Sequence, residues 1–323
     1  MNSLHLVDPT LRPVLDLMPN LTLTREALPA LRARPAFFPP ADPTLTTHRQ
    51  QLVPGPPGAP DVTLHVFRPG GDHGALPGIY HIHGGGYVMG KVADLEPILR
   101  QLASDLSCVV VSVEYRLAPE TTYPGPIEDC YAGLAWLFAN AEATGVDAGR
   151  IGAMGESAGG GYAAALSLLA RDRGLPALAF QCLTYPMLDD RTCTRDVHPY
   201  TGEFVWTAAH NRFGWEAMLG REPGGPDVSA YAAPARADDL SGLPPAYIAT
   251  GALDLFVDEN LDYARRLIRA GVPTELHVYP GACHAFDAVP GSPLAARARA
   301  DRREALGRAL EARPAPQADA TAG

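Results

Sequence analysis

The sequence predicts an α/β fold in which a mostly parallel sheet is covered by helices on both faces. Apolar runs of strand length alternate with segments of helical periodicity from about residue 62 to residue 312. In the middle of this rhythm Gly155-Glu156-Ser157-Ala158-Gly159 stands between an apolar run at 150–154 and a strong helix former at 161–170. A GxSxG turn between a strand and a helix is a nucleophile elbow, a tight reversal that leaves the serine hydroxyl exposed at its tip. Ser157 is therefore the candidate nucleophile. In a chain with 32 glycines the bare pattern arises easily by chance, so its flanks carry the reading.

Taken in order, residues 1–50 hold short amphipathic helices, including a capped start at Thr24-Arg25-Glu26-Ala27-Leu28. This N-terminal helical arm is expected to form part of a cap; simple packing on the core would give the same periodicity. A Pro/Gly-rich loop at 53–60 follows, and the sheet is expected to begin at Val62. Strands are predicted at 62–69, 78–83, 108–115, 151–154, 178–183, 246–251 and 275–279, and helices at 93–106, 126–143, 158–172, 257–270 and 293–312. Segments 51–186 and 236–312 make the catalytic core. The interval 187–235 is longer than a simple α/β connection needs and reads as a cap insertion. It carries Phe204, Trp206, Phe213, Trp215, Met218 and Leu219 in helical spacing, so Trp206, Phe213 and Trp215 are candidates for an apolar pocket wall, although such a stripe also suits ordinary core. Residues 313–323 are small and polar, as a disordered tail would be.

The formal net charge of −10 argues against nucleic-acid or anionic-membrane partners. No apolar stretch reaches the roughly 18 residues that a membrane span needs. The first residues lack a basic start and meet a proline at position 9, so no signal peptide is expected and the location is expected to be cytoplasmic. Five cysteines without a CxxC pair suggest neither a zinc site nor a disulfide framework. Cys283 beside His284 is set aside as a nucleophile, because such partners are neighbours in space rather than in sequence.

A serine hydroxyl needs a base to take its proton and a carboxylate to hold that base. Asp254 follows the strand ending at Gly251, and His284 follows the strand ending at Tyr279, so both should emerge beside Ser157 at the carboxyl edge of one sheet. Asp258 is the rival acid, placed where the next helix begins and a carboxylate would also favour the helix dipole. His83-Gly84-Gly85-Gly86, after the second predicted strand, is a loop whose backbone N–H groups can approach a substrate oxygen. Gly84, Gly85 and Gly86, with the N–H of Ala158, are the candidate oxyanion hole. The loop lacks the lysine and hydroxyl of a phosphate-binding GxxxxGK[ST].

His83-Gly84-Gly85-Gly86-Tyr87, Tyr115-Arg116-Leu117-Ala118-Pro119-Glu120, Gly155-Glu156-Ser157-Ala158-Gly159-Gly160, Tyr185-Pro186-Met187-Leu188-Asp189-Asp190 and His284-Ala285-Phe286 occur in that order. Together they resemble the bacterial hormone-sensitive-lipase-like (family IV) carboxylesterases of the α/β-hydrolase fold superfamily. The resemblance covers nearly the whole chain and implies a capped α/β-hydrolase core without metal or cofactor, acting on short- to medium-chain carboxylic esters through a Ser-Asp-His triad. It also implies that Gly85, Gly86 and Ala158 donate to the oxyanion and that His83 braces their loop. The chain departs from the family pattern at Glu156, where Asp is common, at Asp254-Leu255-Phe256 in place of Asp-Pro-Leu, and at Ala285 in place of glycine. Ala285 is expected to narrow the site.

Two other readings share this fold. A catalytically silent ligand-binding relative would normally lose its serine or histidine, and both are kept here. An amide or peptide hydrolase would use the same triad, differing mainly in leaving-group protonation. The expected partner is a small-molecule ester, and an open edge strand is compatible with a homo-oligomer.

Overall fold

The computed structural model describes residues 3–17, 22–35, 38–71, 73–196 and 198–312. The expected tail at 313–323 lies outside them. The strands are β1 (Thr46–Val53), β2 (Val62–Pro69), β3 (Leu76–Ile82), β4 (Val109–Glu114), β5 (Val146–Glu156), β6 (Gln181–Thr184), β7 (Ala246–Gly251) and β8 (Thr274–Tyr279). They form one sheet in the order β1-β2-β4-β3-β5-β6-β7-β8. β1 pairs with β2 and β2 with β4 antiparallel, and every later pairing is parallel. The helices are α1 (Arg12–Leu17), α2 (Leu28–Arg32), α3 (Val92–Asp105), α4 (Gly125–Ala139), α5 (Ala141–Thr144), α6 (Ala158–Asp172), α7 (Ala208–Leu219), α8 (Val257–Arg269) and α9 (Pro293–Glu311).

Strand side chains alternate between two cores. Tyr80, Ile82, Val111, Val113, Ile151 and Ala153 pack with α4, α6 and α8 on one face. Phe67, Ile79, Val110, Met154 and Cys182 pack with α3 and α9 on the other. With both faces covered, β6 and β7 are buried throughout, which is why the parallel strands read as nearly continuous apolar runs. The carboxyl ends of β3, β5, β6, β7 and β8 consequently share one edge, and the loops leaving them meet there.

The sheet starts earlier than expected. β1 is polar, Thr-Thr-His-Arg-Gln-Gln-Leu-Val, and only its two end residues are buried. An edge strand pairs through its backbone on one side and needs little apolar alternation, so the pattern that revealed the other strands is absent from it. β5 begins at Val146 rather than 151, and β6 is confined to Gln181–Thr184. The helix expected at 126–143 breaks at Asn140, whose side chain donates to the Trp136 carbonyl (2.9 Å) and separates α4 from α5. Between β6 and β7 the helical spacing of aromatics is only partly realised. Phe213, Trp215, Met218 and Leu219 lie on α7, whereas Phe204 and Trp206 precede its cap, Thr207.

Helix α4 approaches the sheet through Gly133, where a Cβ would collide with the Tyr80 hydroxyl and lie 2.9 Å from Leu64 Cδ2. That hydroxyl is buried and donates to the Cys130 carbonyl (2.9 Å). Gly133→Ala gains about 1 kcal/mol of helix propensity, but overpacking costs about 1–3 kcal/mol and the displaced hydrogen bond about 1 more. The expected outcome is a net loss of about 1–3 kcal/mol, read as a lower urea midpoint at unchanged slope; a stabilised variant would mean that the helix–sheet contact is loose.

Candidate active site

Ser157 sits between β5 and α6 with φ 57° and ψ −122°, a conformation that a residue with a side chain adopts only under strain. Hydrogen bonds hold it there: its N–H donates to the Thr184 carbonyl (2.9 Å), and its own carbonyl accepts from the N–H groups of Gly161 and Met187 (3.0 Å each). The flanking glycines serve clearance. Gly155 and Gly159 are not among the positive-φ residues, but a Cβ on Gly155 would fall on the Gly159 carbonyl, and one on Gly159 would fall on the Ile82 carbonyl. The serine thus carries the unusual angles, and the glycines let backbones touch.

The structure brings the three chemistry-bearing side chains together. His284 Nε2 lies 2.9 Å from Ser157 Oγ, and His284 Nδ1 lies 2.8 Å from Asp254 Oδ2. Asp254 Oδ1 accepts the Phe256 N–H (3.0 Å), so both carboxylate oxygens are engaged. All three residues are buried. With a carboxylate as its acceptor, Nδ1 carries the ring proton, and Nε2 faces the hydroxyl as a base. Asp258 is exposed on the first turn of α8, and the carboxylate that holds His284 Nδ1 is that of Asp254. Cys283 is buried, and burial pushes its thiol up to about 12, which keeps it protonated and unreactive. The imidazole is walled by the rings of Tyr185 (4.7 Å between centroids), Phe256 (5.3 Å) and Trp206 (6.1 Å). Tyr185 and Phe256 were not singled out from the sequence; only the Tyr185-Pro186-Met187 motif pointed to that loop.

The glycine loop after β3 lies against the elbow. A Cβ on Gly84 would come within 2.8 Å of the Glu156 carbonyl and 3.4 Å of Ser157 Cβ. Gly85 (φ 119°) and Gly86 (φ 61°) have left-handed backbones suited to glycine. Among the described residues, the N–H groups of Gly85, Gly86 and Ala158 donate to no protein acceptor, which leaves them for an incoming oxygen. His83 stacks on Tyr115 (4.3 Å), its Nδ1–H donates to the Gly84 carbonyl (2.8 Å), and the Tyr115 hydroxyl donates to the His83 carbonyl (2.9 Å).

The three wall candidates separate. Trp206 lies beside the imidazole, and a Cβ on Gly86 would collide with its indole. Phe213 is half-buried on α7, next to Gly214, whose Cβ would come 2.8 Å from the Gly86 carbonyl. Trp215 is corrected: it has no accessible surface and packs on Tyr87 (5.3 Å) as core, so it lines no water-accessible space. Two cavities of about 320 and 390 Å³ lie at the opposite, amino-terminal end of β6 and β7 and contain none of these residues.

Residues 79–288 match the α/β-hydrolase fold family, and the chain belongs to it. It is 36% identical over 315 residues to a carboxylesterase, NlhH, of Mycobacterium tuberculosis, a match covering 95% of this chain and 97% of that protein. Among solved structures it is similar to a bacterial heroin esterase (38% identity, TM-score 0.89, 96% of this chain and 100% of that one). A further similar structure is esterase LipW of Mycobacterium marinum (31% identity, TM-score 0.80, 96% and 98%). The resemblance to hormone-sensitive-lipase-like carboxylesterases drawn from the motifs is borne out. Among the described residues no helix is long and apolar enough to cross a membrane.

The glycine loop has a pH signature. Burial lowers the pKa of His83 from 6.5 to about 4, outweighing its bond to Gly84. Unfolded His83 takes up a proton below about 6.5, while the folded ring resists until about 4. The native state then binds fewer protons across this window, so the stabilisation is complete above 6.5 and is lost on acidification towards 4, on the order of 3 kcal/mol. Glu114, whose carboxyl burial raises, titrates with the opposite sign, so a comparison with His83→Asn isolates the histidine. Urea midpoints at neutral pH and near the lower limit should fall less in His83→Asn than in the parent; equal losses would mean that this ring is not what resists protonation.

Proposed function

We propose that the chain is a serine carboxylesterase that hydrolyses short- to medium-chain carboxylic esters through an acyl-enzyme. That it is a carboxylic ester hydrolase rests on its family and on esterase relatives that match nearly its whole length. The observation that carries the mechanism is the hydrogen-bonded line Asp254–His284–Ser157, at 2.8 and 2.9 Å, beside three unengaged N–H groups. Ser157 Oγ attacks the ester carbonyl as its proton passes to His284 Nε2, and the N–H groups of Gly85, Gly86 and Ala158 receive the developing oxyanion. Collapse breaks the carbon–oxygen bond of the alcohol, which leaves with the proton from His284. Water then repeats the sequence, with His284 as base, and releases the acid. Asp254 keeps the imidazole in the productive tautomer and stabilises its charged form. Gly84 supports the elbow by contact, and His83 holds the glycine loop.

The arm at 1–50 and the insertion at 187–235 are proposed to form the cap, with Trp206 and Phe213 as pocket wall. Five free thiols suit a reducing compartment such as the cytoplasm.

Ser157→Ala is expected to lower kcat on p-nitrophenyl acetate by about 10⁴–10⁶ while the protein stays folded. Asp254→Asn should cost about 10⁴ and Asp258→Asn little. Near-parental turnover of Ser157→Ala would sink the assignment, and a reversed order of the two aspartates would exchange their roles.

A confined pocket sets the acyl preference. Each methylene that fits contributes up to about 0.8 kcal/mol, and the gain stops where the chain meets the indole. Trp206→Ala should move the optimum of kcat/KM across p-nitrophenyl esters from acetate to palmitate towards longer chains, with acetate activity retained. Trp215→Ala should not. An unmoved optimum in Trp206→Ala places the wall elsewhere.

A further inference from the structure

Beneath the site runs a buried line of charged and polar groups that the mechanism above does not use. Glu156, the residue before the nucleophile, points its carboxylate away from the reaction: Oε2 lies 3.0 Å from His81 Nε2, and His81 Nδ1 lies 2.8 Å from Ser112 Oγ. Its other oxygen, Oε1, lies 3.7 Å from Nη1 of Arg302, a residue of α9. The same Nη1 lies 3.2 Å from Asp287 Oδ2 and 3.3 Å from Thr184 Oγ1. Asp287 stands three residues beyond His284 in the loop that carries the base, and its Oδ1 accepts the Tyr185 hydroxyl (2.6 Å). Tyr185 sets its ring edge-on against His284 at 4.7 Å. Thr184, the third group on Arg302, has the carbonyl that holds the Ser157 N–H. One guanidinium therefore touches the turn that carries the nucleophile, the strand end that anchors that turn and the loop that carries the base.

We propose that Arg302 is a positioning residue for ester hydrolysis, a buried cross-link that fixes the Ser157 elbow and the His284 loop at hydrogen-bonding distance through Glu156, Thr184 and Asp287. The inference rests on the esterase reading of the same site. Arg302 touches none of the three proposed triad residues. Ser157 and His284 lie 127 residues apart and meet through one 2.9 Å contact, so their separation depends on how β5 and the loop after β8 are held. A guanidinium suits this task because its donors form a rigid, permanently charged fork. Burial alone would weaken that charge, yet Asp287 and Glu156 keep it protonated. In Glu156, burial pushes the carboxyl up, but His81 and Arg302 outweigh it and hold the group below its usual range. Removing one partner leaves a buried charge without its counterpart.

The test is steady-state kinetics of Arg302→Met, Arg302→Lys and Asp287→Asn on p-nitrophenyl butyrate, with Ser157→Ala as control and a thermal melt for each variant. A misplacement of about 1 Å costs up to about 10²-fold in turnover. Arg302→Met is therefore expected to lose about 10–100-fold in kcat with KM within about threefold, and Arg302→Lys to recover most of it. Asp287→Asn, which keeps its shape and the arginine, should lose about 5–10-fold, and Arg302→Met/Asp287→Asn no more than Arg302→Met alone, as expected of groups acting as a unit. Arg302→Met folded with parental kcat overturns the proposal, as does a loss that appears in KM alone. If Arg302→Met does not fold, Asp287→Asn and Arg302→Lys decide, and parental kcat in both overturns it. A parent protein without Ser157-dependent hydrolysis would overturn the esterase reading and this inference together; Ser157-dependent hydrolysis untouched at Arg302 and Asp287 overturns only the inference.

Discussion

The first turn of α6 crosses the end of β3 so closely that Gly159 has no room for a side chain between itself and the carbonyls of Ile82 and His83. Much else at this edge follows from that backbone-on-backbone contact. It sets the level at which the helix starts, and so where the Ala158 N–H points. It brings the glycine loop after β3 against the elbow, with Gly84 on Glu156 and Ser157. Donors from two separate loops can converge on one oxygen only if their backbones approach to this distance. Gly160 and Gly161, on the neighbouring faces of the same turn, make similar close approaches, where a Cβ would meet Pro186 and the Met187 carbonyl respectively.

Strain is concentrated where the chemistry is. Among the described residues, the non-glycine positions with positive φ are Tyr87, Ser107, Ser157, Tyr185, Val205 and Ala285. All but Ser107 lie in loops around the proposed site: the glycine loop, the elbow, the loop after β6, the turn before Trp206 and the loop of the base. Such conformations cost about 1–3 kcal/mol each and persist only where the surroundings over-determine them. Val205, a β-branched residue at φ 65°, is the least expected, and the next residue is the Trp206 that faces the imidazole. Ala285, at φ 58° and ψ 23°, accepts a left-handed backbone where the family pattern has glycine.

The sheet and the site were legible in the sequence to different depths. Buried parallel strands announce themselves as apolar runs, and the order Ser157, Asp254, His284 after successive strands placed three side chains at one edge. Asp254 and Asp258 were separable because one follows a strand and the other opens a helix, and exposure now marks the same difference. β1 was not legible, because an edge strand satisfies its backbone without an apolar face. Trp215 misled, because periodicity reports which face of a helix is apolar and says nothing about whether that face meets a cavity or a packed core. Arg302 was hidden in an arginine-rich helix whose other arginines, such as Arg297, Arg303 and Arg308, are largely exposed; burial, which a linear pattern does not encode, distinguishes it.

The contacts that join the three proposed catalytic side chains span 127 and 30 residues, and α9, the last helix, closes the sheet face beneath them. During synthesis Ser157 is added before the Asp254 and His284 proposed to serve it and before the helix α9 that packs beneath them. Until its partners from the later strands are in place, nothing holds Ser157 at its unusual angles. A nascent chain that stops short of His284 lacks the proposed base. Turnover in a translation reaction would therefore follow synthesis of the loop after β8 rather than of the elbow, although the elbow carries the nucleophile.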